Sequence, residues 1–137
     1  MTEKTRVLLV DDDSSYLNSL VPFLRLLARR VEGEIEFVTA PDSAEAMKIL
    51  EAAHEANQDF LFVFSDNDMV REGEGFEFGA ELYQLDWAKG ILFFVITGRT
   101  EVELESQIKL GVQKVIKKGA DTPQKILEEI TLKLKDE

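Results

Sequence analysis

The sequence predicts an α/β fold, a doubly wound parallel sheet of five strands with helices on both faces. Two observations predict it. Apolar runs of strand length recur five times along the 137 residues, at 7–10, 35–38, 60–64, 91–96 and 114–116, and each precedes a segment with helical spacing. The runs are nearly continuous rather than alternating, as in strands covered on both faces, and parallel strands require crossovers of the kind the helical segments supply. The length suits one domain, read as residues 1–137 with a core over about 5–135 and no output domain.

After the first strand, Tyr16, Leu17, Leu20, Val21, Leu24, Leu27, Ala28 and Val31 form a helical stripe, with Asp13 or Ser14 as its cap. Pro22 falls inside the stripe and lacks the donor for a bond back to residue 18, so it either kinks the helix or opens its main part. The second helix runs from a cap at Asp42 or Ser43 towards Ala56 and turns Ala46, Met47, Leu50 and Ala53 inward. Following the third strand, Gly73-Glu-Gly-Phe-Glu-Phe-Gly79 has the wrong spacing and position for a dinucleotide-binding loop and reads as loop and helix entry, with a helix over 74–85. Trp87 reads as edge packing and His54 as a solvated side chain. A fourth helix over 101–110 stops at Gly111, and Thr122-Pro123 opens a fifth with Ile126, Leu127, Ile130 and Leu134 inward.

Composition removes several functions. Twenty-seven acidic against sixteen basic residues give a net charge of −11, which repels a polyanion and argues against direct nucleic-acid binding. The longest apolar run, 91–96, is far below the ~20 residues of a membrane span, and the start of the chain lacks signal-peptide features. Zero cysteines exclude disulfides, thiol catalysis and a cysteine zinc site, so a cytoplasmic protein is expected.

The chemistry gathers where the strands end. Asp11-Asp12-Asp13 follows the first strand, Ser65-Asp66-Asn67-Asp68 the third, Thr97-Gly98 the fourth and Lys117-Lys118 the fifth. In open α/β sheets that edge faces the ligand crevice. Clustered carboxylates are costly unless a cation neutralises them, and all-oxygen ligands suit Mg²⁺. A lysine and a threonine beside such a site would pair with phosphoryl oxygens, and an aspartate there would serve as nucleophile.

Val7-Leu-Leu-Val-Asp-Asp-Asp13, Phe62-Val-Phe-Ser-Asp66, Val95-Ile-Thr97-Gly98 and Val115-Ile-Lys117 resemble the receiver domain of bacterial response regulators, over nearly the whole chain. The resemblance implies a flavodoxin-like, chemotaxis-receiver-like fold and a stand-alone receiver that takes a phosphoryl group from a histidine kinase or histidine phosphotransfer protein. It implies that Asp66 is the phosphoacceptor and that Thr97 and Lys117 are the switch hydroxyl and phosphate-pairing lysine. Asp11, Asp12, Asp66 and the backbone carbonyl of Asp68 would hold Mg²⁺, and Asp68 with Arg99 would flank the water path to the phosphoryl group. Signalling would run through contacts with a downstream protein rather than through catalysis of an external reaction.

The chain departs from the family pattern at several places. Val70 and Lys118 stand where prolines are usual, and Lys114 stands three residues before Lys117, where an aromatic switch residue is usual. A charged side chain entering an apolar cleft costs desolvation, so the output face is expected to differ. Two other readings remain: an adaptor of the same fold regulated without phosphorylation, and a phosphatase. The latter rests on Asp66-Asn-Asp68-Met-Val70, which matches the nucleophile signature of haloacid-dehalogenase-like phosphatases, although no acidic metal motif follows Lys117.

Overall fold

The computed structural model describes residues 4–98 and 111–135. In chain order they form β1 (Thr5–Val10), α1 (Ser14–Ala28), β2 (Ile35–Ala40), α2 (Ser43–Glu55), β3 (Phe62–Asp66), α3 (Glu74–Tyr83), β4 (Leu92–Thr97), β5 (Val112–Lys117) and α4 (Thr122–Lys135). The helix expected over 101–110 lies outside the described residues, so α4 is the fifth helix of the sequence reading. All strand pairs are parallel, in the order β2-β1-β3-β4-β5. This is a five-stranded flavodoxin-like sheet. Among the described residues no helix is long and apolar enough to cross a membrane.

Strand side chains alternate between faces, and here both faces are covered. Val7 and Leu9, Phe62 and Phe64, Phe94 and Ile96, and Ile116 pack with Leu17, Leu20 and Leu24 of α1 and Ile126 and Ile130 of α4. On this face the Phe64 and Phe94 rings stack at 4.8 Å, with Phe62 beside them at 6.1 and 6.3 Å. Leu8 and Val10, Val63, and Phe93 and Val95 pack on the other face with Ala46 and Leu50 of α2 and Phe76, Phe78 and Leu82 of α3.

Two caps close as the sequence predicts. Asp13 accepts from the Tyr16 amide at 3.0 Å and starts α1, and Asp42 accepts from the Glu45 amide at 2.9 Å and starts α2. Pro22 lies within α1, which runs unbroken from Ser14 to Ala28, so the helix does not open at the proline. Trp87 is partly buried, as edge packing predicts, but His54 is more than a solvated side chain. Its ring stacks on Trp87 at 4.8 Å and its Nδ1 lies 3.0 Å from Asp59. This pair sits where the chain enters β4, at the opposite edge of the sheet from the acidic residues.

Candidate functional site: a carboxylate cluster at the carboxyl edge of the sheet

Sheet register brings the carboxylates together. Val10 pairs with Ser65, and Asp66 pairs with Ile96, so Asp11 and Asp66 leave neighbouring strands side by side. Both share the parity of Leu9 and Phe64 and therefore project towards α1. Oxygen atoms of Asp11, Asp12 and Asp66 lie within 4.8 Å of one another, with Asp11 buried, Asp12 exposed and Asp66 between. Asp11 is anchored from two sides: Oδ1 accepts from the Asp13 amide at 2.9 Å, and Oδ2 accepts from the Lys118 ammonium at 3.0 Å.

Asp66 is less well satisfied. One of its oxygens accepts from the Asn67 amide at 2.9 Å. Burial and the nearby Asp11 charge push its carboxyl up to about 6, against the opposing pull of Lys118 and the Asn67 amide. An added cation would relieve that crowding, and three carboxylates of this kind are hard oxygen donors. The donor set fits a divalent metal.

The lysine that reaches the cluster is Lys118, not Lys117 as the sequence reading had it. Lys117 pairs across the sheet with Thr97 and its side chain is exposed. Residue 118 shares the inward parity of Ile116 and follows Lys117 off the strand, its amide donating to the Thr97 carbonyl at 2.8 Å. Its ammonium lies 4.3 Å from the centre of the Tyr16 ring. Burial alone would lower the Lys118 pKa, but the bond to Asp11 and the charges of Asp66 and Asp11 raise it above the ordinary lysine value.

Three residues before Lys118 is Val115, which packs partly buried against the α2 and α3 side, whereas Lys114 is exposed and reaches Glu129 of α4 at 3.3 Å. Thr97 is buried at the end of β4. Asp68 turns its side chain into its own loop, with Oδ1 accepting from the Gly73 amide at 2.9 Å. Its proposed partner Arg99 lies outside the described residues.

Two residues of the site escape sequence reasoning. Asn67, fully buried, accepts at its side-chain oxygen from the Phe76 amide at 3.3 Å and at its backbone oxygen from the Gly75 amide at 2.9 Å. Position 75 has to be glycine, because a Cβ there would lie 2.5 Å from the Asp66 carbonyl oxygen. Glu74, 2% exposed, accepts from the amides of Ser43, Val70 and Arg71 at 3.0, 3.1 and 3.2 Å. Burial would raise its pKa, but these donors hold it below the usual glutamate value. The loop after the third strand is thereby tied to the start of α2.

Solved structures that resemble this chain include response regulators and their receivers. The phosphorylated cyanobacterial phytochrome response regulator RcpA matches with a TM-score of 0.74 at 22% identity, over 95% of each chain. The chemotaxis response regulator CheY4 of Vibrio cholerae matches at 0.68 and 25% identity, over 93% of this chain and 97% of that one. The fold is that of response regulator receivers. Response regulator Rcp1, solved in a Mn²⁺-bound form, shares the receiver fold at 0.67 and 19% identity, over 92% of this chain and 91% of that one. No protein-family model and no curated relative matches the chain.

Proposed function

We propose that this chain is a receiver that takes a phosphoryl group onto Asp66 from a phosphohistidine donor, a histidine kinase or phosphotransfer protein, and signals through protein contacts in the cytoplasm. The observation that carries the reading is the convergence of Asp11, Asp12, Asp66 and Lys118 at the carboxyl edge of a receiver fold. An oxygen of the Asp66 carboxylate attacks phosphorus and forms the new P–O bond. The P–N bond breaks, its electron pair returns to the donor imidazole, and that nitrogen takes a proton from water. Lys118 shifts from Asp11 towards the incoming phosphoryl oxygens, and Thr97 donates to another.

Asp11, Asp12, Asp66 and the backbone carbonyl of Asp68 would hold Mg²⁺, which supplies charge neutralisation for the carboxylates and for the oxygens of the transferring group. The phosphatase reading needs the second aspartate of its signature as a proton donor. Oδ1 of Asp68 is instead engaged by the Gly73 amide.

The test is incubation with Mg²⁺ and a small acyl phosphate, followed by mass spectrometry. One phosphoryl group on Asp66, absent from Asp66→Asn, is expected; no incorporation overturns the reading. Mg²⁺ should also raise the thermal midpoint of the wild type but not of Asp12→Ala.

A further inference from the structure

We infer that Tyr16 is a positioning residue for Lys118, its ring face holding the ammonium over the carboxylates before a phosphoryl group arrives. The inference deepens the phosphoacceptor reading and rests on it. Four contacts close a circuit through the site. The Asp13 amide donates to Asp11 Oδ1 at 2.9 Å, and the Tyr16 amide donates to Asp13 Oδ1 at 3.0 Å. The Tyr16 ring centre lies 4.3 Å from the Lys118 ammonium, which donates to Asp11 Oδ2 at 3.0 Å. The helix cap and the lysine are therefore parts of one assembly.

A lysine side chain is a flexible four-carbon stem, and its charge is useful to a phosphoryl group only when it is already in place. Asp11 alone does not supply that placement, because the lysine has to leave Asp11 when the phosphoryl oxygens arrive. The ring contact survives that exchange: an aromatic face attracts a cation over a broad area without demanding one hydrogen-bond direction. Lys118 can swing from carboxylate to phosphoryl oxygen while remaining against Tyr16. The Tyr16 hydroxyl, although buried, has no partner in hydrogen-bonding geometry, and the neighbouring Thr122 hydroxyl already donates to Gly119. The ring, not the hydroxyl, does the positioning.

The experiment measures phosphoryl uptake from a small acyl phosphate in Tyr16→Leu and Tyr16→Phe, each with Lys118 present and with Lys118→Ala. Loss of the ring should slow uptake about three- to thirtyfold in Tyr16→Leu. Tyr16→Phe should rescue it to within about twofold, a range below the weakest cation–π contribution. In the Lys118→Ala background Tyr16→Leu should cause no further loss, since the residue it acts through is gone. Equal slowing by Phe and Leu, or a full Tyr16→Leu effect without Lys118, overturns the inference.

Nuclear magnetic resonance of the wild type gives a readout that needs no variant to fold and no phosphoryl transfer. The Lys118 methylene protons next to the ammonium should be shifted upfield by the Tyr16 ring, and unshifted protons overturn the contact. A wild type that takes up no phosphoryl group but shows the upfield shift defeats the receiver reading and leaves the contact standing.

Discussion

Two carboxyls eight residues apart, Asp66 half-buried and Glu74 buried, are pushed in opposite directions. Asp66 accepts one backbone amide and sits among Asp11 and Asp12, and its pKa rises to about 6. Glu74 accepts three backbone amides, and its pKa falls below the ordinary value although burial opposes this. Depth does not decide the sign of a shift; the number of donors and the sign of neighbouring charge do. Glu74 holds the loop in place, whereas Asp66 is left under-satisfied, as its proposed role as phosphoacceptor requires.

The largest expected effect follows from removing the satisfied member. Glu74→Ala strands three amide donors, two in the loop after β3 and one at the start of α2, and should cost about 3 kcal/mol in chemical denaturation. Glu74→Gln, which keeps an acceptor, should cost less. Next is Lys118→Ala, which leaves Asp11 without its cation and should cost about 2 kcal/mol while pushing the Asp66 pKa higher still.

Asp66→Asn should do the reverse of Glu74→Ala. Removing a crowded charge should stabilise the metal-free protein by on the order of 1 kcal/mol at neutral pH, a figure already discounted for solvent screening at this half-buried group. The pH dependence separates the two carboxyls. Because the folded Asp66 pKa lies above its unfolded value, the folded state binds the proton more tightly, and stability in a chelator rises as pH falls from about 7 through about 6. Glu74 acts oppositely: its contribution is present above the unfolded glutamate value and is lost as pH falls through the lower folded one. Urea unfolding across this range should therefore show a maximum on the acid side of neutrality, flattened in Asp66→Asn; a monotonic curve breaks the comparison. The smallest effect is expected from Lys117→Ala, whose exposed side chain should change stability by less than about 0.5 kcal/mol and leave phosphoryl uptake intact.

The strands, the helix caps at Asp13 and Asp42 and the acidic ends of β1 and β3 were legible in the sequence because each is a local pattern a few residues long. The end of β5 was not. Val115 and Ile116 are both apolar and Lys117 and Lys118 are both cationic, so nothing within the run says which of each pair faces α1. Register does: Ile96 pairs with Ile116 and Thr97 with Lys117, which leaves residue 118 with inward parity. A parity count from Leu9 to Asp11 and from Phe64 to Asp66, continued from Ile116, reaches Lys118 and would have found it. Glu74 had no such signal, because its role rests on the Ser43 amide, 31 residues away in sequence.

The stacked pair of Trp87 and His54 determines what light can report about this molecule. Trp87 is the one indole in the chain, and it lies against an imidazole at the edge of the sheet remote from the carboxylates. Its emission answers first to the imidazole on its face and to the Asp59 carboxylate that holds that ring. A titration with magnesium that leaves the fluorescence flat is thus silent about the metal. An optical probe of the carboxylate edge has to be built there, for instance by placing a second indole at the exposed Val70 in the loop after β3.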